Sequence, residues 1–149
     1  MTLRIRPYKP SDKKDVIKLL KLNTPNFFAP SEEDDLKEYL NKEIEDYFVM
    51  EENHEIIAAG GINYFPEEKT ARISWDMIKP NQQGKGIGKK LTEHRMNHLK
   101  KNNTVDLIIV RTTQLVYKFY EKMGFQLTKV EKNFWAEGFD LYQMELKTK

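Results

Sequence analysis

The sequence predicts an α+β fold, a single domain spanning residues 1–149 in which a mixed, mostly antiparallel sheet is flanked by helices. Three features carry this expectation. Strand-like alternation and helix-like periodicity of apolar residues interchange along the chain; strand-like runs follow one another between Asp46 and Ile78 with only turn-length breaks; and the apolar run "VDLIIVRT" stands between two helical stretches. The element order reads β-α-α-β-β-β-α-β-α-β-β. A chain of 149 residues is expected to bury about 68–70% of its unfolded surface, enough for a core that can support small-molecule chemistry.

The elements follow in order. "LRIRPY" alternates as an edge-capable strand, and "KPSDKKDVIKLLKLN" opens a helix with Ser11 or Asp12 as cap and Val16, Ile17, Leu19 and Leu20 as its buried side. "TPNFFAP" breaks that helix, and "SEEDDLKEYLNKEI" begins another whose acidic first turn complements the helix dipole. "DYFVMEENHEIIAAGGINYF" reads as two strands around a turn at Glu52 to His54, and "PEEK" separates them from a third, "TARISWDMI", giving an antiparallel meander. "GKKLTEHRMNHLKKN" is a helix with Ile87, Leu91 and Leu99 among its core contacts. "VDLIIVRT" is a buried strand, the helix "QLVYKFYEKM" stops at Gly124, and "FQLTKVEKNFW" and "FDLYQMELK" form a hairpin through "AEG".

Composition excludes several functions. The absence of cysteine removes disulfides, thiolate metal sites and a cysteine nucleophile. "MTLRIRPYKP" lacks the apolar run of a signal peptide, and no window approaches the about 20 apolar residues of a membrane helix, so a cytoplasmic protein without a membrane partner is expected. A net charge of +2 argues against nucleic acid. Charge is nevertheless divided: Ser31 to Glu55 is strongly acidic, and Lys79 to Lys101 carries seven lysines and arginines against Glu93 alone. Such blocks are solvated faces or suit an anionic ligand at one end and a cationic one at the other. His94 and His98 lie one helical turn apart, but no glutamate follows His94 and no third ligand is apparent, so no metal is expected.

The stretch "PNQQGKGIGKKL" places Gly84, Gly86 and Gly88 within five positions. Glycines so placed either form a simple turn or let successive N–H groups and a helix start converge on a phosphate. The spacing fits neither of two familiar loops. A Walker A loop would need glycine at Gln83 and a hydroxyl at Lys90, and a dinucleotide fingerprint would need glycine at Lys89. Gln83-x-x-Gly86-x-Gly88, between a strand and a basic helix, resembles the acetyl-CoA pyrophosphate loop of the GNAT superfamily of N-acetyltransferases. "IRPYKPSDKKDVIKLL" is similar to that family's opening strand and helix, and "YKFYEKMGFQL" to its late helix; the order matches from Leu3 to Leu146.

The resemblance implies acetyl-CoA as cosubstrate, held at its pyrophosphate by Gln83, Gly84, Lys85, Gly86, Ile87, Gly88 and Lys89, and at its pantetheine arm by main-chain groups of Met77 and Ile78. It implies Tyr120 as the acid that protonates the departing thiolate, although aromatics on an amphipathic helix also serve as core. Where many relatives carry a glutamate base this chain has Arg72, leaving Asp76 as base, with pairing to Arg72, a capping role, or a chain of waters as the other accounts. Thr113 stands where the family often has asparagine. The acceptor is a small-molecule or peptide amine. "NTPNFFAPSEEDD" would form one wall of its site, through Phe27, Phe28 and Glu32 to Asp35, and Trp135 and Tyr142 the other. A catalytically silent acyl-CoA sensor of the same fold is the alternative, and a homodimer is compatible with either.

Overall fold

The computed structural model describes residues 3–148. Their element order is β1 (Leu3–Pro7), α1 (Lys13–Leu22), α2 (Glu32–Glu38), β2 (Asp46–Glu52), β3 (Glu55–Phe65), β4 (Thr70–Ile78), α3 (Ile87–Lys100), β5 (Leu107–Thr112), α4 (Tyr117–Lys122), β6 (Gln126–Ala136) and β7 (Phe139–Lys147). This is the order expected from the sequence, in one α+β domain. The sheet has seven strands in the order β1-β2-β3-β4-β5-β7-β6, and only the β4–β5 pair is parallel.

Local chemistry explains the joints. Asn53 and His54 both take left-handed backbone angles, φ 52° and 66°, so a two-residue turn closes β2 onto β3 with the twist a hairpin needs. Tyr8 lies beyond β1, its N–H donating to the Tyr47 carbonyl at 2.8 Å. A short 3₁₀ turn, Pro10–Asp12, precedes α1 and buries Asp12, which accepts from Arg6 at 2.8 and 2.9 Å and from the Lys9 N–H at 2.9 Å. Arg6 also donates to Glu51 at 2.7 Å, tying β1 to both α1 and β2. Past α2 the chain widens into a π turn at Tyr39–Glu43, with Tyr39 and Leu40 buried.

Two apolar cores lie on opposite faces of the sheet. Strand alternation separates them: on β2, Tyr47 and Val49 join Val16, Leu19, Leu20 and Leu36 of α1 and α2, whereas Phe48 and Met50 join Leu91 and Leu99 of α3 and Tyr120 of α4. Ile17, expected on the buried side of α1, is half-buried and packs at the margin of the first core.

Candidate active site

The site begins where β4 and β5 part. Their parallel register runs from Thr70 opposite Leu107 to Ile73 opposite Val110 and then stops, while β4 continues to Ile78. A cavity of about 880 Å³ opens along that gap, with Asp76, Met77 and Ile78 on one side and Arg111 to Thr113 and Tyr120 on the other. Chain that would otherwise pair with a neighbouring strand therefore borders the cavity.

β4 is also bulged. Gly61 pairs with Ser74 and Ala59 with Met77, so three steps on β4 match two on β3, and Trp75 sits at φ 51°. For a tryptophan this is a sparsely populated conformation, of the kind that persists where the surrounding structure over-determines it. The extra residue exchanges the faces of the strand. Ala71 and Ile73 pack toward α3 and α4, but Trp75 and Met77 pack toward α1 and α2, and it is Asp76 and Ile78 that turn toward α3 and α4. Tyr47 supports the bulge, donating its hydroxyl hydrogen to the Trp75 carbonyl at 2.9 Å, and Phe28 stacks on the Trp75 ring at 6.2 Å.

On the α3 and α4 side, three side chains form one unit. Arg95 of α3 holds both Asp76 oxygens, with Nη1 on Oδ1 and Nη2 on Oδ2, the latter at 2.6 Å. The Tyr120 hydroxyl donates to Oδ2 at 2.5 Å. Asp76 thus pairs with Arg95 and not with Arg72, the partner considered from sequence. Burial pulls the Arg95 guanidinium down, but the Asp76 charge and its hydrogen bonds hold it raised. Burial and the same carboxylate push the Tyr120 phenol well above its ordinary 10.0. Gly60 makes room for the unit: a Cβ there would lie 2.8 Å from Asp76 Oδ1 and 2.9 Å from Arg95 Nη1.

The glycine loop lies at the far end of the cavity. Gly84 and Gly86 take φ 80° and 79°, with open space where a Cβ would stand, so their requirement is conformational. Gly88 is different: a Cβ there would lie 2.8 Å from Ile78 Cδ1 and 3.3 Å from the Phe119 ring, so it sets the packing of α3 against β4 and α4. The helix begins at Ile87 with Gly86 as its cap, one residue before the start expected from sequence. Gln83, Gly84, Gly86, Ile87, Gly88 and Lys89 line the cavity, and Lys85 is exposed beside it. Gln83 Nε2 donates to the buried Asn23 at 3.2 Å, and Asn23 Nδ2 to the Ile78 carbonyl at 3.0 Å, joining the end of α1 to the loop.

The other expected residues divide. Phe27, Phe28, Glu32 and Trp135 line the cavity, whereas Asp34 and Asp35 are exposed on α2 and Tyr142 packs on Tyr117 at 4.6 Å. Glu32 is buried, accepts from the Ala29 N–H at 2.8 Å, and is pushed up by burial. Thr113 organises the turn into α4, its carbonyl accepting from Tyr117 at 3.0 Å and its Oγ1 from the Leu115 N–H at 3.2 Å. His94 and His98 pack on Phe48, and His98 Nε2 lies 3.1 Å from Asp46. Arg95, Gly60 and Asn23 were not singled out from sequence. A signal for the first two was present: "GG" inside an apolar strand run marks a close approach, and Arg95 falls on the side of its helix shared with Leu91 and Leu99.

With this geometry in hand, the comparisons with known proteins agree. The family described as "Acetyltransferase (GNAT) domain" matches residues 17–148. An amino-acid acetyltransferase of Mannheimia succiniciproducens is 27% identical over 113 residues, which are 76% of this chain and 25% of that protein. The chain thus spans about a quarter of the length of the curated relatives it matches. Among solved structures, the ribosomal-protein-S18-alanine N-acetyltransferase of Escherichia coli superposes with a TM-score of 0.82 at 17% identity, covering 98% of this chain and 94% of its own. An aminoglycoside 6'-N-acetyltransferase complexed with coenzyme A gives 0.75 at 16% identity, covering 97% and 96%.

Proposed function

The chain belongs to the GNAT acetyltransferase family, and from that premise we propose that it transfers the acetyl group of acetyl-CoA to a primary amine by direct attack in a ternary complex. The observation that carries this is the parting of β4 and β5 between a glycine-capped helix start and a buried tyrosine on α4. An extended arm can lie in that gap, with its amides on main-chain groups of Met77 and Ile78 and its pyrophosphate over the N–H groups of Gln83 to Gly88, where the helix dipole and Lys89 favour anions. The thioester then falls at the bulge. A main-chain N–H near Asp76 polarises its carbonyl and stabilises the oxyanion of the tetrahedral intermediate.

Tyr120 serves the leaving group. Its raised pKa keeps it protonated, and its one hydrogen, which rests on Asp76 Oδ2, swings to the sulfur as negative charge develops there. The carbon–nitrogen bond forms, the carbon–sulfur bond breaks, and the proton lost from nitrogen balances the one gained by the thiolate. Both Asp76 oxygens are already engaged by Arg95 and Tyr120. Of the roles open to Asp76, holding the phenol in place until charge develops on sulfur is therefore better supported than accepting the amine proton, which leaves through water.

CoA release from acetyl-CoA, followed with a thiol reagent across a panel of amines, tests the reaction; binding without release for any amine would favour the silent acyl-CoA sensor. Gly86→Val tests the loop. It forces a branched residue into φ 79° and is expected to weaken CoA binding at least about tenfold by calorimetry while the protein stays folded. Unaltered affinity would remove the phosphate assignment.

A further inference from the structure

At the end of the cavity remote from the glycine loop stand two cationic side chains that the reaction above does not use. Arg72 lies on β4, and Arg111 on β5 one residue past the last β4–β5 pair; both line the cavity. Each lies over aromatic rings, Arg72 over Phe65 at 4.6 Å and Arg111 over Phe134 and Trp135 at 4.9 and 5.5 Å. Trp135 is itself fixed, its indole N–H donating to the Thr112 carbonyl at 3.2 Å. Neither guanidinium has an ion-pair or hydrogen-bond partner among the described residues, and the Nε of each is buried without one.

Half-buried cations left unpaired are costly, the more so when they repel each other. Burial, and then the charge of Arg111, lower the Arg72 pKa. Elsewhere in the molecule a buried arginine has its carboxylate, as Arg95 has Asp76. A planar guanidinium fork restrained by an aromatic neighbour suits bidentate capture of a carboxylate. The cofactor's phosphates are not the anion in question, because their loop begins beyond Ile78, at the opposite end of β4.

We propose that Arg72 and Arg111 bind a carboxylate of the acceptor, so that the substrate is a small amino acid in the broad sense, with amine and carboxylate in one molecule. Three observations support it. Arg111 directly follows the last β4–β5 pair, Ile73 opposite Val110, so it stands at the start of the gap that Asp76 also lines. Glu43 and Glu45 line the same cavity, offering the opposite charge to the ammonium end. Ser74 and Asn63 join through a 2.8 Å hydrogen bond on the face that Arg72 shares, so the floor between the charges is polar. The specificity follows physically: a site built around unpaired cations rejects an acceptor that leaves them unpaired.

This inference rests on the transferase reading, and its test separates the two. Calorimetry on the full chain saturated with CoA would compare matched probes: phenylalanine with 2-phenylethylamine, and 4-aminobutyrate with propylamine. At least one carboxylate-bearing probe is expected to bind at least about tenfold more tightly than its decarboxylated partner. With CoA kept saturating for each variant, Arg72→Met and Arg111→Met should each erase that preference, since a single hydrogen-bonded charge contact accounts for about a tenfold effect or more. Equal or tighter binding of the decarboxylated amines, no binding of either carboxylate, or a preference that survives both substitutions would overturn the proposal. CoA release with amines regardless of a carboxylate would overturn the anion site and leave the transferase. Carboxylate binding lost on substitution, with no CoA released from any amine, would leave the anion site and overturn the transferase.

Discussion

Tyr120 carries two loads, and they can be separated. It is buried among Phe119 and Phe125, and its hydroxyl reaches Asp76. Phenylalanine keeps the ring and deletes the donor. If the hydroxyl serves the departing sulfur, Tyr120→Phe should lower kcat at least about tenfold with little change in KM for acetyl-CoA, because a positioned acid typically contributes ~10²–10⁴ in rate. Wild-type kcat in steady-state assays would make Tyr120 packing only. The sequence pointed to this residue through its motif, but its partner was legible only in part. Asp76 and Arg95 are separated by the glycine loop and about two turns of α3, and a bidentate pair across that distance leaves no mark in spacing. Spacing is silent in the same way on the acidic run at Glu32: of four consecutive acids only the first is folded back onto the Ala29 N–H and buried at the cavity.

Elements were more legible than their faces. Patterning located every α-helix and strand of the described residues, since amphipathic patterning is written in neighbouring residues, but the short 3₁₀ and π turns and the bulge at Trp75 are invisible to it. Gly60 is the counterpart of that bulge on β3. Gly60→Ala would drive a methyl group into Asp76 and Arg95, both held by short hydrogen bonds and unable to move apart without losing them. Overpacking of this kind costs about 1–3 kcal/mol, to be measured by urea denaturation, and activity should fall further than stability does. A second joint, at β1, sets a pH response. Hydrogen bonds from Arg6 hold Asp12 below its ordinary 3.8 and Glu51 below 4.5. As pH falls through those ordinary values the unfolded chain takes up protons first, so stability present above them is lost progressively toward the lower folded values. Arg6→Met should destabilise the protein near pH 7 by about 1–3 kcal/mol and flatten the acid limb of its stability curve, as read from melts between about pH 3 and 6.

Across the whole molecule, a ligand that binds only the folded chain raises its stability by mass action. At 100 times its Kd, acetyl-CoA should add about 2.7 kcal/mol, a rise in Tm of roughly 5–10 °C for a domain of this size. No shift by thermal melting would remove the cofactor from the reading altogether. Buried tyrosines contribute to the alkaline limb of the stability curve. Burial raises Tyr39, Tyr47 and Tyr120 above 10.0, so the stability they contribute is complete below that value and lost as pH climbs through their higher folded values. The fold's division of labour between its two faces depends on a phase in one strand. β4 is written in two frames: up to Ile73 its odd residues face α3 and α4, and from Trp75 its odd residues face α1 and α2. Flattening the bulge with every residue kept would merge the frames. Met77 would then be turned out of one core and Asp76 carried through the sheet to the side of α1 and α2, whereas deleting Trp75 would leave both on their present faces. Substituting any one side chain edits the site; shifting that phase would transpose it.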